Sequence, residues 1–314
     1  MLTQTLNFMA ATLHAAQALI VLGLVSWLNT QPSRENGIFE VERTISIWHS
    51  HPNAAAQQKS MTGNYWIERS NIASGYLDVR YIIVAFFSLS AIFQTVGGFM
   101  YDNHGWMSRL RFIEYSFSAS IMVMGIAVEA GIQDLYMLQA MFILTWVTQI
   151  LGLIAEYFSL LSEKMHLLPY DPLFSGCFGE WSWMVPHVAG WATCLSAYGP
   201  ILDVFLQSSS RSEISAPGFV KVIVFLQFCL FTCFGFVQYY SLYHRTLIIQ
   251  GYYVPDWVTT MHQMNDGGLI DNSKEDRLAS LADLVDRAYI ILSFVAKTLL
   301  AWLILSPILT SSIH

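Results

Sequence analysis

The amino-acid sequence predicts an all-α membrane protein, a bundle of seven transmembrane helices with a small β-hairpin in the first interhelical loop. Of its 314 residues, 54% are hydrophobic and only 12% are charged, whereas about a quarter of the residues of an ordinary globular domain are charged. The mean hydropathy is +0.46. In addition, seven apolar runs are each near or above the roughly 20 residues that a helix needs to cross a bilayer.

No glycine-rich or charge-rich linker divides the seven runs, so residues 1–314 are predicted to form a single membrane domain. The first run lacks the basic n-region and the cleavage site of a secretory signal, and we expect it to be a helix of the bundle. The predicted spans, in chain order, are Leu6–Leu28, Val79–Tyr101, Met107–Ala130, Leu135–Leu161, Trp181–Leu206, Phe219–Tyr243 and Leu284–Leu309.

Two loops are long enough to have structure of their own. In residues 29–78, the segment FEVERTISIWH, which starts at Phe39, alternates apolar and polar residues and predicts a strand. A second strand-like piece, Tyr65–Ile67, follows a turn-prone Thr-Gly-Asn. Residues 245–283, between the sixth and seventh spans, are predicted to be mostly turn and solvated surface, with a helical start near Arg277 left open.

The charges exclude some functions. The net charge is −7 and no basic patch stands out, which argues against nucleic acid as a partner. Seven lysines and arginines flank the predicted spans on each side, so the positive-inside rule does not decide the orientation. The four cysteines lack the spacing of zinc ligands. We therefore expect neither a metal site nor an enzyme active site.

Lys297 stands in the middle of the seventh span, within YIILSFVAKTLLAW. A charged residue at the centre of a transmembrane helix costs roughly 2.5–3.5 kcal/mol on insertion scales, so such residues usually face the bundle interior and have a partner. The acidic candidates are Glu114, Glu156 and Asp203, with Glu129 close to a helix end.

Two roles are open for this lysine. A structural ion pair would fix the helix packing and nothing more. Alternatively, a lysine amine in an apolar site forms a Schiff base with an aldehyde, and the protonated form then needs a carboxylate nearby. Seven helices with a lysine in the last and Glu114 in the third favour a retinal protein. Glu114 could instead be a structural acid paired with Arg111 or Arg109.

Four segments carry a family resemblance. The strings RFIEYSFSAS in the third span and LSFVAKTLLAW in the seventh resemble signature segments of heliorhodopsins, a retinal-binding family distant from the ion-pumping microbial rhodopsins. LNFMAATLHAAQALIVL in the first span and FVKVIVFLQFCLFTCFGFVQYY in the sixth are also similar to the family.

The resemblance implies a rhodopsin-like bundle with all-trans retinal on Lys297 and Glu114 as the counterion. It also implies a cytoplasmic N-terminus and an extracellular C-terminus. Residues 29–78 would then form an external sheet that supports a homodimer in the lipid membrane.

The residues around the lysine argue against a light-driven pump. A proton pump commonly has a second carboxylate one turn before the lysine, where this chain has Ser293. The positions that share a helix face with Glu114 are Ser118, Met122 and Gly125, none of which is a suitable proton donor. We therefore expect a light sensor without active pumping, with a slow photocycle that is read by a cytoplasmic signalling partner.

The proton that leaves the Schiff base needs an acceptor. His14 is one candidate because histidine titrates near neutral pH, although a purely structural histidine remains the alternative. The family usually has a second histidine in the second helix, and this chain has Gln94 there. A second function, a light-gated proton conductance of the viral heliorhodopsin type, would use a path through Glu129, Glu156, Asp203 and His187.

The polyene needs a slot lined by aromatic and flexible apolar side chains. General core packing is the alternative for each candidate. The candidates by helix position are Tyr115, Met122, Met141, Trp191, Phe231 and Phe234.

Overall fold

The computed structural model describes residues 2–30, 45–52, 69–100, 104–166, 181–210, 218–250 and 274–313. Within these residues the chain forms seven helices and two strands, and all seven helices are long and apolar enough to cross a membrane. In chain order the elements are α1 (Leu2–Thr30), β1 (Ile45–Pro52), β2 (Arg69–Leu77), α2 (Val79–Phe99), α3 (His104–Glu129), α4 (Leu135–His166), α5 (Met184–Ser210), α6 (Gly218–Ile249) and α7 (Lys274–Ile313). The predicted fold class is confirmed.

The largest difference from the predicted boundaries is at α7, which begins at Lys274 rather than at Leu284. Its first turns carry charges on one face, so their low hydropathy does not identify them as part of the helix. The other face presents Leu281 and Val285, which pack against Ile248 near the end of α6. Both ends of the predicted loop 245–283 are therefore helical, and residues 251–273 lie outside the described residues.

The two strands form the predicted hairpin. They pair antiparallel from Ile45 opposite Leu77 to Pro52 opposite Arg69, with an irregularity between Ile47 and Trp48. The predicted strand is observed from Ile45 onwards, whereas its start at Phe39 and the piece Tyr65–Ile67 lie outside the described residues.

The hairpin docks on the connection between α3 and α4. The Trp48 backbone N–H donates a hydrogen bond to the Gln133 carbonyl, with an N···O distance of 3.2 Å. The hairpin therefore lies at the end of the bundle where α3 finishes. Successive spans run in opposite directions and α3 is the third, so it ends on the side of the bundle opposite the N-terminus.

Helix α3 occupies the centre of the bundle. In its most apolar window 72% of the residues are buried, compared with 22% for α4, α5 and α6. Small residues allow the helices to approach closely, as is usual in membranes. A Cβ at Gly98 of α2, for example, would lie 2.7 Å from the Phe8 ring of α1. A functional group on α3 is consequently shielded from lipid by its neighbours.

Candidate functional site

The lysine of α7 and the first acidic candidate of α3 meet in the bundle interior. Lys297 Nζ donates a hydrogen bond to Glu114 Oε1 at 2.5 Å. The two residues are only 2% and 5% exposed. A buried charge of either sign would be costly alone, so each group requires the other. Arg111 pairs with other acids, and no contact between Arg109 and Glu114 is observed among the described residues.

Two hydroxyl groups from the predicted set lie in the same region. Ser118 follows Glu114 by one turn of α3, and Ser293 precedes Lys297 by one turn of α7. Both side chains are fully buried, and neither hydroxyl oxygen meets hydrogen-bond geometry with a described residue, although Ser293 lies beside the Tyr115 hydroxyl. The Tyr115 ring itself is 5.2 Å from Lys297 Nζ. Each helix of the charge pair thus carries a nearby serine hydroxyl that is available for a further hydrogen bond.

His14 approaches the pair from α1. It is completely buried between the rings of Phe87 and Phe294, with centroid distances of 5.4 and 5.3 Å, and it is close enough to Lys297 to interact electrostatically. The Gln17 side chain lies nearby, but neither imidazole nitrogen meets hydrogen-bond geometry with a described residue. An uncharged histidine in this position keeps a nitrogen lone pair available for a proton.

A cavity extends from Lys297 between α3, α4, α5, α6 and α7. Its wall is mostly apolar and aromatic. Five of the six predicted lining residues border it, namely Tyr115, Met122, Trp191, Phe231 and Phe234. Met141 is buried in the adjoining core and does not border the cavity.

The cavity wall includes one unusually close helix contact. A Cβ at Gly235 of α6 would lie 2.3 Å from the Trp191 indole of α5, so no larger residue fits there without moving the ring. The indole Nε1–H donates to His187 Nε2 at 3.1 Å, which fixes its orientation. Trp191 is thus held in place as a flat wall of the cavity.

The residues present fit retinal, the ligand that the sequence implies. The cavity begins at a buried primary amine, has a carboxylate beside that amine and continues as an apolar slot. Retinal requires the same three features, an attachment point, a counter-charge and a hydrocarbon-lined channel.

Sequence reasoning missed several cavity residues. Tyr198 of α5, fully buried with its hydroxyl donating to the Val224 carbonyl at 3.4 Å, and Gln238 of α6 both border the cavity. Their position relative to Trp191 and Phe234 at helical spacing is a signal that could have found them.

A second group of buried charges lies on the N-terminal side of the lysine pair. Arg111 of α3 pairs with Asp286 of α7 at 2.6 Å and approaches Glu156 of α4 at 3.8 Å. Glu156 also pairs with Arg245 of α6 at 3.2 Å. The network joins four helices with two charges of each sign, and we refer to these four residues as the four-charge network.

A smaller cavity borders both charge groups, and we refer to it as the small polar cavity because several charged and amide side chains contribute to its otherwise apolar wall. Glu114, Arg111 and Asp286 all border it. Asn7 and Gln94 complete its polar wall, and the side-chain oxygen of Gln94 has no hydrogen-bond partner among the described residues. Gln94 therefore belongs to this smaller cavity and not to the large one.

The four residues of the predicted proton path do not meet in one place. Glu156 belongs to the four-charge network, and His187 borders the large cavity. Glu129 is half-buried in the last turn of α3, at the end of the bundle covered by the hairpin. Asp203 is exposed on α5 and accepts a hydrogen bond from Gln207 at 2.9 Å.

The sequence is similar to a known protein family. The heliorhodopsin family model matches residues 3–254. This range includes α1 to α6, with Glu114 and His14, and ends before α7. A search of curated protein sequences found no match.

Proposed function

Because the chain belongs to the heliorhodopsin family, a family of retinal-binding light sensors, we propose that its chromophore is all-trans retinal attached to Lys297 and that Glu114 is the counterion. Retinal supplies visible absorption and a light-driven change of shape. The protein supplies the attachment point, the counter-charge and the walls, and these are the parts that can be assigned to residues.

The observation that carries the proposal is the buried pair of Lys297 and Glu114 at the mouth of a large apolar cavity. Lys297 would hold the retinal aldehyde covalently through Nζ, as a Schiff base formed with loss of water, and the Glu114 carboxylate would balance the positive charge of its protonated form. Ser118 and Ser293 have hydroxyl groups available to adjust the hydrogen bonding of this carboxylate and of the attached nitrogen.

The same geometry supports sensing rather than pumping. Within the described residues, Glu114 is the only carboxylate paired with Lys297. One turn before the lysine stands Ser293, which cannot hold a fixed negative charge. His14 is the proposed acceptor of the photoreleased proton, with Gln94 as a hydrogen-bonding neighbour that does not titrate. A proton that moves locally and returns leaves no net transport.

The signal is proposed to leave through a cytoplasmic surface. We place the N-terminus in the cytoplasm and the C-terminus outside, with residues 29–78 as an extracellular loop that supports a homodimer. Residues 245–283, with the ends of α6 and α7, would then face the cytoplasm in the single domain 1–314. Arg245, near this end of α6, belongs to the four-charge network. A shift of α6 or α7 would therefore change the surface that a signalling partner contacts.

A light-gated proton conductance is the second candidate. It is favoured by the small polar cavity beside Glu114, since this cavity extends the polar region from the lysine pair to Arg111 and Asp286. Conductance needs a continuous polar path, and this cavity would be its inner segment.

The visible spectrum of Lys297→Ala tests the attachment. We expect wild-type membranes supplied with retinal to absorb visible light and the variant to lose this band completely. Lys221→Ala, a lysine of α6 that does not border the large cavity, should keep the band unchanged. A visible band that persists in Lys297→Ala would contradict the proposal.

Whole-cell voltage clamp under light separates the two functions. Cells whose membranes contain the pigment are expected to show no photocurrent if the protein is a sensor. A current that reverses with the proton gradient and vanishes in Lys297→Ala would instead establish the conductance.

A further inference from the structure

The large cavity has two ends of unlike chemistry. Near Lys297 its wall consists of hydrocarbon and aromatic side chains, apart from the hydroxyl groups of the counterion region. The opposite end, between α4, α5 and α6, is bordered by polar side chains. These are Thr145, Thr148, Gln149, His187 and Gln238.

Hydrogen bonds orient two of the polar side chains at this end, His187 and Gln238. His187 Nε2 accepts from Trp191, so the proton of the neutral imidazole is on Nδ1. The Gln238 side chain lies beside His187, and its Nε2–H donates to the Gly152 carbonyl at 2.8 Å. The tautomer of His187 and the orientation of the Gln238 amide therefore follow from their partners.

These contacts leave donors and acceptors of the polar side chains unused. A glutamine amide has two N–H donors and two lone pairs on oxygen, and Gln238 uses one N–H in its hydrogen bond to Gly152. Gln149 makes no hydrogen bond to another residue in the described part of the chain. His187 and Gln238 are only 7% and 8% exposed, so bulk water does not reach them freely. Unused polar capacity at a buried position is costly unless a ligand or bound water satisfies it.

We propose that this end of the cavity is a subsite for a hydroxyl group on the ring of the chromophore, so that the protein prefers a ring-hydroxylated retinal over retinal itself. The inference rests on the proposed function, because attachment of the aldehyde to Lys297 places the ring at the opposite end of the cavity. The hydrocarbon ring of retinal offers no partner to the spare N–H and lone pair of Gln238. A hydroxyl group both donates and accepts, and matches them.

Competitive incorporation tests the subsite without relying on photochemical activity. Full-length apoprotein in lipid nanodiscs is given an equimolar mixture of all-trans-retinal and all-trans-3-hydroxyretinal, and the bound chromophore is extracted and quantified by chromatography. One or two added neutral hydrogen bonds correspond to a preference of about 5- to 30-fold for the hydroxylated compound.

Two variants test which residues cause the preference for the hydroxylated compound. A third variant controls for replacing a glutamine elsewhere in the protein. Gln238→Met should bring the ratio close to one, and Gln149→Leu should lower it in part. Gln207→Leu replaces a glutamine of α5 that does not border the cavity, and should keep the wild-type ratio. If Gln238→Met does not fold, the incorporation ratios of the wild type and of Gln149→Leu still test the subsite.

The outcomes separate this inference from the proposed function. Pigment formation with both compounds at a wild-type ratio of one or below overturns the subsite and leaves the attachment at Lys297 intact. A high ratio that persists in both cavity variants also overturns the assignment. No pigment with either compound would overturn the proposed function, and the subsite with it.

Discussion

The two buried groups of charges in this bundle differ in how many charged partners their central residues have. Lys297 and Glu114 form a one-to-one pair across α3 and α7. In the four-charge network, Arg111 contacts two acids and Glu156 contacts two arginines, so that four helices are joined. The two groups are neighbours, since Arg111 precedes Glu114 by one helical turn and the small polar cavity borders both.

The difference indicates how each group is used. A charge with two partners keeps one when the other moves, so the network holds the helices together in a single arrangement. A one-to-one pair depends on a single geometry, and any change at the lysine nitrogen alters the environment of the only carboxylate. Tyr115 stands between the groups, with its ring near Lys297 Nζ and its hydroxyl donating to the Tyr289 carbonyl at 3.2 Å. Tyr289 in turn packs its ring 4.0 Å from the Arg111 guanidinium.

Removal of the counterion charge should have the largest spectral effect. In Glu114→Gln the attached nitrogen loses the only carboxylate that balances its charge, so we expect the visible band to move to the near-ultraviolet at neutral pH. Acidification should restore a visible band, because the protonated form is favoured at low pH. Absorption spectra across a pH titration check this. An unchanged visible band at neutral pH would mean that another acid is the counterion.

Disruption of the network should affect stability more than colour. Arg111→Gln removes the ion pair with Asp286 and is expected to lower the free energy of unfolding by about 3–5 kcal/mol, as is typical for a broken buried pair. Thermal unfolding of the apoprotein measures this. Arg109→Gln is the matched control, because Arg109 is exposed on the same helix and packs on Trp106.

The spectrum of Arg111→Gln tests the contrast itself. The visible band should remain, with a shift much smaller than that of Glu114→Gln. If the two variants shift the band equally, the pair and the network act as one electrostatic unit, and the distinction between them is wrong.

The smallest effect on the spectrum and on stability is expected when the Ser118 hydroxyl is removed. Ser118→Ala removes a buried oxygen that lacks a hydrogen-bond partner among the described residues, so the stability of the apoprotein should change by less than about 0.5 kcal/mol or increase. In the pigment, the visible band should still move measurably, because the hydroxyl lies near the charge pair. Ser159→Ala, another buried serine without such a partner but on α4 and outside both cavities, should leave the band unchanged.

The bundle and its central pair are predictable from the sequence for the same physical reason. Hydrocarbon tolerates long apolar helices and penalises charge, so the seven spans stand out, and Lys297 within them needs an acid. Glu114 is one of the acidic residues within these spans, and it is the carboxylate that accepts a hydrogen bond from Lys297.

The remaining contacts depend on which helices are neighbours, and the sequence does not state this. The spacing on α3 makes Arg111 a possible partner of Glu114, but the packing of α3 against α4 and α7 brings Glu156 and Asp286 to it instead. Strand β2 was missed because its segment RSNIASGYL lacks an alternating apolar pattern, and its hydrogen bonds to β1 define it. Met141 shares α4 with cavity residues but faces the core, a difference of helix rotation that composition does not reveal.

The most direct test of the central claim is to locate the chromophore chemically. Pigment formed with retinal is reduced with borohydride, digested, and analysed by mass spectrometry for a retinyl group on each of the five lysines. We predict that the retinyl group is found on the peptide that contains Lys297 and on no other lysine. A retinyl group on a different lysine, or a visible pigment with no reduced adduct at Lys297, would contradict the account.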